Sequence, residues 1–343
     1  MPMLTTTIDD AFPPLVTRSN SGGGEHDFGE ESEERSGVFH LDRGQKMMEL
    51  HQNSMTALET TMSSLSVSKK PILTASNDIV SEVIAQWDAL CHREKDAAYT
   101  TACGGGLDFV ECQREKISSF YFSVIDEKNL DRRIVSIALS YLKRFLVRQP
   151  DEAPSARFYQ LVMITSVYLA IKIHSSNIYK DGRPIIFIKE VTNWSDAVFT
   201  TQDISEMETR MLSTLNYKMN PPVPLNFLDV LKPVLDADLI LIPQVKQHII
   251  TISNWLCDVS VVDSYFSGVN PSSVAYAAIL VAVDTSSIGA LKCVESLCLE
   301  HDESITLECY QRMVEMYYEL DDAPSEHSDN RCRSPTEVLT HVA

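Results

Sequence analysis

One stretch in the middle of the chain, residues 158–173 (FYQLVMITSVYLAIKI), is apolar on nearly every side and contains no charge before Lys172. A helix that is hydrophobic all round has no face for solvent, so neighbouring elements must bury it on every flank. A helix of about 16 residues spans roughly 24 Å, which we expect to be too short and too polar at its ends for a membrane span. β-Branched residues also suit a central strand. Length and helical flanks favour a helix, so the stretch predicts the centre of a small all-α domain.

Helical periodicity on both sides of this stretch supports the prediction. Before it, the apolar positions predict helices over 79–96, with Asn77 available as N-cap, over about 109–124 and over 134–145. After it come a short element, 187–194, and an amphipathic segment, 201–217. Counted from the helix over 109–124, these segments predict a five-helix unit in which the central helix is third, with the helix that begins near Asn77 outside the unit.

A Pro-rich joint, residues 220–224, ends this unit, and the pattern then recurs. One helix follows the joint directly, a long helix is predicted over 245–262, and residues 271–284 are again apolar nearly all round. Two further segments, 290–300 and 306–320, have helical spacing. The period of about 110 residues is far longer than a solenoid repeat, so we predict a second five-helix domain with its own buried third helix.

The ends of the chain differ in composition from these two units. Residues 19–37 consist mostly of Gly, Ser and acids, and such a segment buries too little apolar surface to offset its conformational entropy. The segment from Asp321 is also polar. The predicted organisation is a disordered acidic N-terminal region (1–75), a first helical domain (76–220), a second helical domain (221–320) and a disordered tail (321–343).

Charge and cysteine content restrict the classes of function. The net charge of −19 argues against nucleic acid as a partner, because affinity for phosphates comes from clustered Lys and Arg. The eight cysteines are scattered, with no CxxC pair and no zinc spacing, so we expect free thiols and no metal. The N-terminal residues lack a basic segment followed by an apolar core. We expect a chain of the nucleus or the cytoplasm, without a membrane partner.

Four separated segments resemble the cyclin family. Residues 132–146 (RRIVSIALSYLKRFL) are similar to the cyclin-box segment that ends YLDRFL in the family, and residues 159–173 to the segment that ends LLASKYEE. Residues 204–228 (ISEMETRMLSTLNYKMNPPVPLNFL) match the pattern ME..IL..L.Y....PTP..FL, and residues 270–282 resemble the C-terminal cyclin domain. The resemblance covers residues 77–320 and implies two tandem cyclin-fold domains.

The resemblance also implies a function without chemistry of its own. Cyclins bind a cyclin-dependent kinase beside its regulatory helix and hold that helix inward, so that the kinase's Lys–Glu pair aligns. A heterodimer with such a kinase, in cell-cycle control, is the expected assembly. Two charged residues of the box usually carry the contact, here Lys172 and Glu208, which we expect side by side as exposed charges. The apolar positions expected to line the kinase pocket are Leu169, Ile173, Leu212 and Tyr217.

Each of these two charges also has a purely structural interpretation. A Lys just past a buried helix is often only a favourable charge at the negative end of the helix dipole. A Glu in an amphipathic helix usually belongs to a solvated face. Within a cyclin box we favour the functional interpretation.

The chain departs from the family at charged positions. The acidic pair that follows the family Lys is His174-Ser175 here. The Asp of YLDRFL is Lys143, whereas the Arg with which it normally pairs is retained as Arg114. Two cations cannot form this bridge, so either Arg114 has another partner or its helix sits differently. With no anion at the family position, Lys143→Asp is expected to stabilise the domain.

The family's docking patch for Arg-x-Leu substrates is also altered. Phe120 and Gln160 fit this candidate docking site, but Gln113 and Lys116 stand where the family is apolar. In the C-terminal tail, Ser334-Pro335 is a minimal proline-directed phosphosite. Residues 291–295 (LKCVE) fit an LxCxE motif, but they lie in a predicted helix, where core packing is the simpler role.

Two other functions compete with kinase activation. A cyclin-fold adaptor would bind a transcription or signalling protein without activating a kinase. An enzyme would need a nucleophile–base set, a Gly-rich phosphate loop or metal spacing, and the sequence has none of these. We therefore expect no catalytic residues and no cofactor.

Overall fold

A computed structural model describes residues 77–96, 99, 107–149, 155–175, 179–180, 183–184, 188–194, 198–237, 243–286, 299 and 301–321. Regular structure within these ranges is almost entirely helical, so the predicted all-α class is confirmed. The helices are α1 (Asn77–Glu94), α2 (Leu107–Cys112), α3 (Arg114–Glu127), α4 (Arg133–Val147), α5 (Ala156–His174), α6 (Ile188–Asn193), α7 (Thr201–Thr214), α8 (Pro224–Ala237), α9 (Pro243–Val262), α10 (Pro271–Ser286) and α11 (Glu303–Asp321). Two strands of two residues each, β1 (Tyr179–Lys180) and β2 (Arg183–Pro184), pair antiparallel.

Several predictions concern residues outside the described ranges. These are the disordered region 1–75, nearly all of the helix 290–300 with its LKCVE motif, and the tail that follows Asp321, including Ser334.

The predicted central helix is α5. Its N-cap, Ser155, accepts a hydrogen bond from the backbone N–H of Phe158 at 3.2 Å, which satisfies one of the free donors of the first turn. Every residue from Val162 to Ile171 is buried, because α4, α6 and α7 pack around it. The helix interpretation is therefore correct, and the strand alternative is excluded.

α5 has the length and apolar composition of a helix that could cross a membrane. Our expectation that it is too short was therefore wrong. The core helix of a folded domain meets the same criteria, and more than half of the most apolar part of α5 is buried inside the protein.

The second unit repeats this arrangement around α10. Residues 274–283 of α10 are all buried, and α8, α9 and α11 pack against the helix. α10 is the third helix after the joint, as the sequence predicts. Each half of the chain thus encloses one helix that has no solvent face.

α1 belongs by its contacts to the second unit, although it precedes the first in the chain. It packs chiefly against α8 and α10, and the ring of its fully buried Trp87 meets Phe227 edge to face at 4.9 Å and Tyr276 at 6.2 Å. At the end of α1, the Glu94 carboxylate accepts hydrogen bonds from the N–H and the hydroxyl of Ser272, in the first turn of α10. A negative charge is favourable there because it faces the positive end of the helix dipole.

Arg114 and Lys143 are joined by a carboxylate that the sequence analysis overlooked. Glu111 lies 2.7 Å from Lys143 Nζ through Oε1 and 3.2 Å from Arg114 Nη1 through Oε2. The Ser267 hydroxyl donates to Glu111 (2.6 Å) and accepts from Lys143 (2.9 Å). The two cations therefore lie together without a direct bridge, as predicted. The expectation that Lys143→Asp stabilises the domain fails, because an aspartate there would face Glu111.

The charges of this network depend on one another. Burial alone would raise the pKa of Glu111, but hydrogen bonds from Lys143 and Ser267 and the nearby cations outweigh it and hold the pKa below its usual value. Burial, together with the charge of Arg114, lowers the pKa of Lys143 to about 8. Both groups are therefore mainly ionised at neutral pH, and Glu111 is the counter-charge for two buried cations.

Arg114 also connects the two units. Its Nε donates to the backbone carbonyl of Val261 at 2.7 Å, in the last turn of α9, where carbonyls lack intrahelical partners. A cation is favourable at this negative end of the helix dipole. Two ion pairs cross the same boundary, Arg132–Asp258 at 3.3 Å and Arg133–Asp229 at 2.7 Å.

The helix predicted over about 109–124 is interrupted in the structure. α2 ends at Cys112 and α3 begins at Arg114, and Gln113 between them has non-helical backbone angles (φ −108°, ψ 11°). Neither Gly nor Pro marks this break, so periodicity could not reveal it.

Glu111→Gln should lower the free energy of unfolding by about 2–4 kcal/mol, because it leaves Arg114 and Lys143 buried without a counter-charge. Urea unfolding at pH 7 measures the change. Glu115→Gln, one turn further along on the exposed surface of α3, is the matched control and should stay within about 0.5 kcal/mol of wild type. Equal effects of the two substitutions would contradict this account of the network.

Candidate functional site

The two predicted kinase-contacting charges meet at the C-terminal end of α5. Lys172 Nζ lies 2.7 Å from Glu208 Oε1. Lys172 is in the last turn of α5, and Glu208 lies in the middle of α7, which packs along α5. The expectation that helix packing brings these side chains together agrees with the structure, and their role in binding stays a prediction.

The start of α7 is fixed by a reciprocal cap. Thr200 Oγ1 accepts from the backbone N–H of Asp203, and the Asp203 carboxylate accepts from the N–H of Thr200. The Asp203 carboxylate also accepts from the Thr200 hydroxyl, and the bonds from the N–H and the hydroxyl of Thr200 hold the pKa of Asp203 below its usual value. A capping box fixes where a helix begins, so it also determines which face of α7 presents Glu208 to Lys172.

The two charges differ in exposure. The Lys172 side chain is 50% exposed, whereas that of Glu208 is only 12% exposed. The expectation that both are exposed charges is therefore wrong for Glu208. The hydrogen bond to Glu208 raises the pKa of Lys172 above its usual value, against the opposing effect of burial. The arrangement is a cation at the surface, held from beneath by a carboxylate.

A third side chain, Tyr168, completes the cluster and was missed in the sequence. Lys172 Nζ lies 5.7 Å from the centre of the Tyr168 ring, within range of a cation–π contact. The signal was available, because residues four apart on a helix share a face. The signal was overlooked because Tyr168 also fits the apolar pattern of the central helix.

The four predicted apolar positions lie at different depths. Ile173, next to Lys172 in the chain, is 40% exposed and Tyr217, after the end of α7, is 71% exposed, so both present apolar surface to solvent. Leu212 is partly buried and packs on the core. Leu169 is only 1% exposed, so in this conformation it supports the surface from beneath without forming part of it.

Tyr217 is displayed by a tight turn at the end of α7. Asn216 and Tyr217 both have left-handed backbone angles, with φ values of 52° and 57°. Asn tolerates this conformation, but for Tyr it costs on the order of 1 kcal/mol. The N–H of Tyr217 donates to the carbonyl of Leu212 at 3.0 Å, which closes the helix end. This turn is what leaves the Tyr217 ring in solvent.

The segment after Lys172 turns inward. His174 Nε2 lies 2.8 Å from the Met219 carbonyl oxygen and 2.8 Å from the Tyr141 hydroxyl, and Tyr141 also donates to that carbonyl. Ser175 is buried. His174 and Ser175, which stand where the family has an acidic pair, therefore make contacts within the protein. They add no carboxylate to the surface beside Lys172.

The backbone carbonyls on either side of Met219 are also bound by side chains. Arg144 donates to the Lys218 carbonyl at 2.8 Å, and Arg93 donates to that of Asn220. Three successive carbonyls after Tyr217 thus have side-chain partners. These contacts fix the ends of α5 and α7 relative to each other.

The candidate docking residues lie elsewhere in the first unit. Phe120 is half-buried, and its ring packs edge to face on Trp194 at 6.2 Å. Gln160 is half-buried near the start of α5. Of the two altered positions, Gln113 is buried and Lys116 exposed. Substrate docking at this place stays a prediction.

In the described part of the chain, no group of three or more His, Cys, Asp or Glu side chains is arranged to hold a metal ion. The ends of α5 and α7 present the Lys172–Glu208 pair and the exposed apolar side chains of Ile173 and Tyr217. Such a surface suits a protein that acts by association.

Family comparisons identify the class. The cyclin N-terminal domain matches residues 95–220, and the cyclin C-terminal domain matches residues 222–336. These consecutive matches cover more than half of the chain. The chain belongs to the cyclin family, whose members are regulatory subunits.

Curated relatives are mitotic cyclins of animals and plants. The chain is 28% identical over 180 residues to the G2/mitotic-specific cyclin-B2 of Oryzias luzonensis, covering 52% of this chain and 41% of that protein. It is 27% identical over 212 residues to the human G2/mitotic-specific cyclin-B2, covering 61% and 48%, and 27% identical over 214 residues to Cyclin-B2-2 of Arabidopsis thaliana, covering 62% and 45%. The chain thus spans about half the length of these relatives.

A solved structure supports the fold. The viral cyclin of herpesvirus saimiri aligns with a TM-score of 0.51 at 15% identity, covering 69% of this chain and 99% of the viral one. At this identity the likeness shows the fold alone.

His174→Gln should make the protein less sensitive to acid. Burial lowers the pKa of His174, so the unfolded chain binds a proton at higher pH than the folded chain. Stability is therefore lost as pH falls below the ordinary histidine value of about 6.5. Glutamine can still donate to the Met219 carbonyl but does not titrate. In urea unfolding, the amount by which the free energy of unfolding of wild type exceeds that of the variant should be smaller at pH 5.5 than at pH 7.5.

His92→Gln, on the exposed face of α1, is the matched control for the loss of an imidazole. A stability difference between wild type and His174→Gln that is the same at both pH values would show that burial of His174 does not govern its protonation.

Proposed function

We propose that this chain binds a cyclin-dependent serine/threonine kinase and activates it, as the regulatory subunit of a heterodimer in cell-cycle control. The observation that carries the proposal is the Lys172–Glu208 pair, 2.7 Å apart at the exposed end of the buried central helix. Ile173 directly follows Lys172, and Tyr217 follows the end of α7, and both side chains expose apolar surface.

This combination suits the end of a partner helix. A lysine ammonium has three donors and a carboxylate several acceptor sites, so the pair can bind backbone groups that a helix terminus leaves without partners. Exposed apolar side chains at the ends of the same helices supply apolar surface that is removed from water on association. Aromatic residues in such positions often carry much of the binding energy.

Activation would follow from selective binding. A subunit that binds only the inward position of the kinase's regulatory helix shifts the kinase population toward that conformation. In that conformation the kinase's own Lys–Glu pair and phosphate-handling groups align. The cyclin needs no chemistry of its own for this effect.

The family supports the proposal without deciding the partner. The relatives are described as G2/mitotic cyclins, but the chain covers only about half of their length. These relatives therefore do not identify the kinase, the phase of the cell cycle or the substrates, and the experiment below addresses the kinase.

Lys172→Ala and Glu208→Ala should each weaken kinase binding by about 2–4 kcal/mol, or roughly 30- to 1000-fold, because each leaves desolvated partner groups unpaired. The measurement is co-purification with cyclin-dependent kinases from the source cell, followed by titration and a kinase assay. Lys189→Ala, a surface lysine of α6, is the matched control for the loss of one positive charge and should bind like wild type.

Melting curves accompany the assay, because Glu208 is nearly buried and its removal can cost stability. If both variants remain folded and still bind and activate the same kinase at wild-type strength, the proposed site is wrong. If the wild type binds a kinase without activating it, the chain is an adaptor. If it recovers no kinase, the proposed function is wrong.

A further inference from the structure

The turn after α7 gives Tyr217 an unusual backbone conformation. Its φ of 57° is left-handed and its side chain is 71% exposed, so packing of the ring contributes little to holding it there. A residue other than glycine in a sparsely populated conformation costs free energy, and it persists only where the surrounding structure fixes it. The contacts of the neighbouring backbone must therefore keep Tyr217 in place.

Met219 is the residue through which this turn is fixed. Its N–H donates to the carbonyl of Tyr217 at 3.0 Å, which closes a three-residue turn. Its own carbonyl oxygen contacts two side chains from other helices: the Tyr141 hydroxyl donates to it, and His174 Nε2 lies 2.8 Å from it. Since the N–H and the carbonyl belong to one residue, a hold on the carbonyl limits how far the Tyr217 turn can open.

The Met219 carbonyl is held from two helices at once. Tyr141 is fully buried in α4, and His174 is the last residue of α5. A carbonyl oxygen has two lone pairs and can only accept, so His174 Nε2 carries a proton and the two donors use the whole capacity of the oxygen. The Tyr141 hydroxyl also lies 2.8 Å from His174 Nε2. The hydroxyl, the imidazole and the carbonyl therefore form one closed triangle of hydrogen bonds.

This hold differs from the other contacts around it. Arg144 and Arg93 bind the carbonyls of Lys218 and Asn220, but of these three successive residues it is Met219 whose N–H donates to Tyr217. An ionised carboxylate has acceptors only, so the acidic residue that the family has in place of His174 could not donate to this carbonyl. The imidazole thus supplies a contact that the family residue would not.

A turn that is fixed before binding favours association. A segment that becomes ordered only when the partner arrives loses conformational entropy at that moment, whereas a segment that is already ordered loses less, and the affinity increases accordingly.

We propose that Tyr141 and His174 are positioning residues for the kinase contact: together they hold the Met219 carbonyl, so that Tyr217 is presented in its bound conformation before the partner arrives. This inference rests on the proposed function. It goes beyond it in giving a role in affinity to two residues that lie behind the surface, one of them in the core.

Tyr141→Phe removes the hydroxyl and keeps the ring in the core. It should weaken binding of the kinase that co-purifies with wild type by about 3- to 10-fold, the effect of one lost hydrogen bond, mainly through faster dissociation. In a Tyr217→Ala background the same substitution should have no further effect. A double-mutant cycle by surface plasmon resonance measures this coupling.

Tyr121→Phe is the matched control. Its hydroxyl is also buried in the first unit, but it bonds Ser166 and the Met163 carbonyl, in the middle of α5. Its loss should lower the melting temperature and leave kinase affinity unchanged. A Tyr141→Phe variant that behaves in this way would show that the Tyr141 hydroxyl serves the core alone.

A pair of substitutions at His174 separates its donor from its size. Glutamine keeps an N–H for the Met219 carbonyl, whereas leucine is of similar size and has none. His174→Gln should therefore bind the kinase close to wild-type strength, and His174→Leu should bind about 3- to 10-fold more weakly. Equal affinities of the two variants would show that the hydrogen bond from residue 174 does not position the surface.

The Met219 amide proton reports on the turn without any partner. Its exchange with solvent requires opening of its bond to the Tyr217 carbonyl. Tyr141→Phe and His174→Leu should each speed this exchange by about 3- to 10-fold in solvent-exchange NMR, and Tyr121→Phe should not. An unchanged exchange rate in the first two variants would overturn the inference.

The two proposals fail separately. If Lys172→Ala and Tyr217→Ala both weaken kinase binding, but Tyr141→Phe has no effect or the same effect in both backgrounds, the proposed function stands and the positioning role is wrong. If Tyr217→Ala binds the kinase at wild-type strength, Tyr217 makes no contact that could be positioned, and the inference is wrong while Lys172 still decides the site. If the wild type recovers no kinase, both are wrong.

Discussion

The burial of α5 is the constraint on which the first half of the molecule depends. A helix with no solvent face is stable only when other helices enclose it, and α4, α6 and α7 do so. Enclosure ends near the end of α5, and Lys172, the first charged residue after the buried stretch, emerges there beside Glu208 of α7. The candidate site is thus a consequence of the packing, because the same contacts that bury α5 place the carboxylate of α7 beneath the lysine.

A second constraint joins the two halves. Glu111, three residues before Arg114, neutralises Arg114 and Lys143 together, and Arg114 in turn binds the carbonyl end of α9. A buried cation without a counter-charge would be costly. Lys143 is therefore tolerated because Glu111, on another helix, supplies the negative charge. Arg114, paired with the same carboxylate, connects the two units.

Periodicity predicted the all-α class and the central helices, because these follow from which faces of the helices are apolar. The pairing of Lys172 with Glu208 was expected from the resemblance to cyclins. Periodicity did not predict the break at Gln113, the role of Glu111 or the burial of Glu208. The role of Glu111 and the burial of Glu208 depend on side chains that meet across elements distant in sequence. Tyr168 was missed for a different reason, since a tyrosine in an apolar run satisfies the pattern of a core helix whether or not its ring also contacts a charged side chain.

The central claim is that the ends of α5 and α7 form the surface that binds a kinase. Hydrogen–deuterium exchange of the chain, alone and with the kinase that co-purifies with it, tests this claim most directly. The account predicts slower exchange of the backbone amides at residues 168–175 and 208–219 when the kinase is present. Slower exchange confined to the second unit, with no change in these two segments, would contradict it.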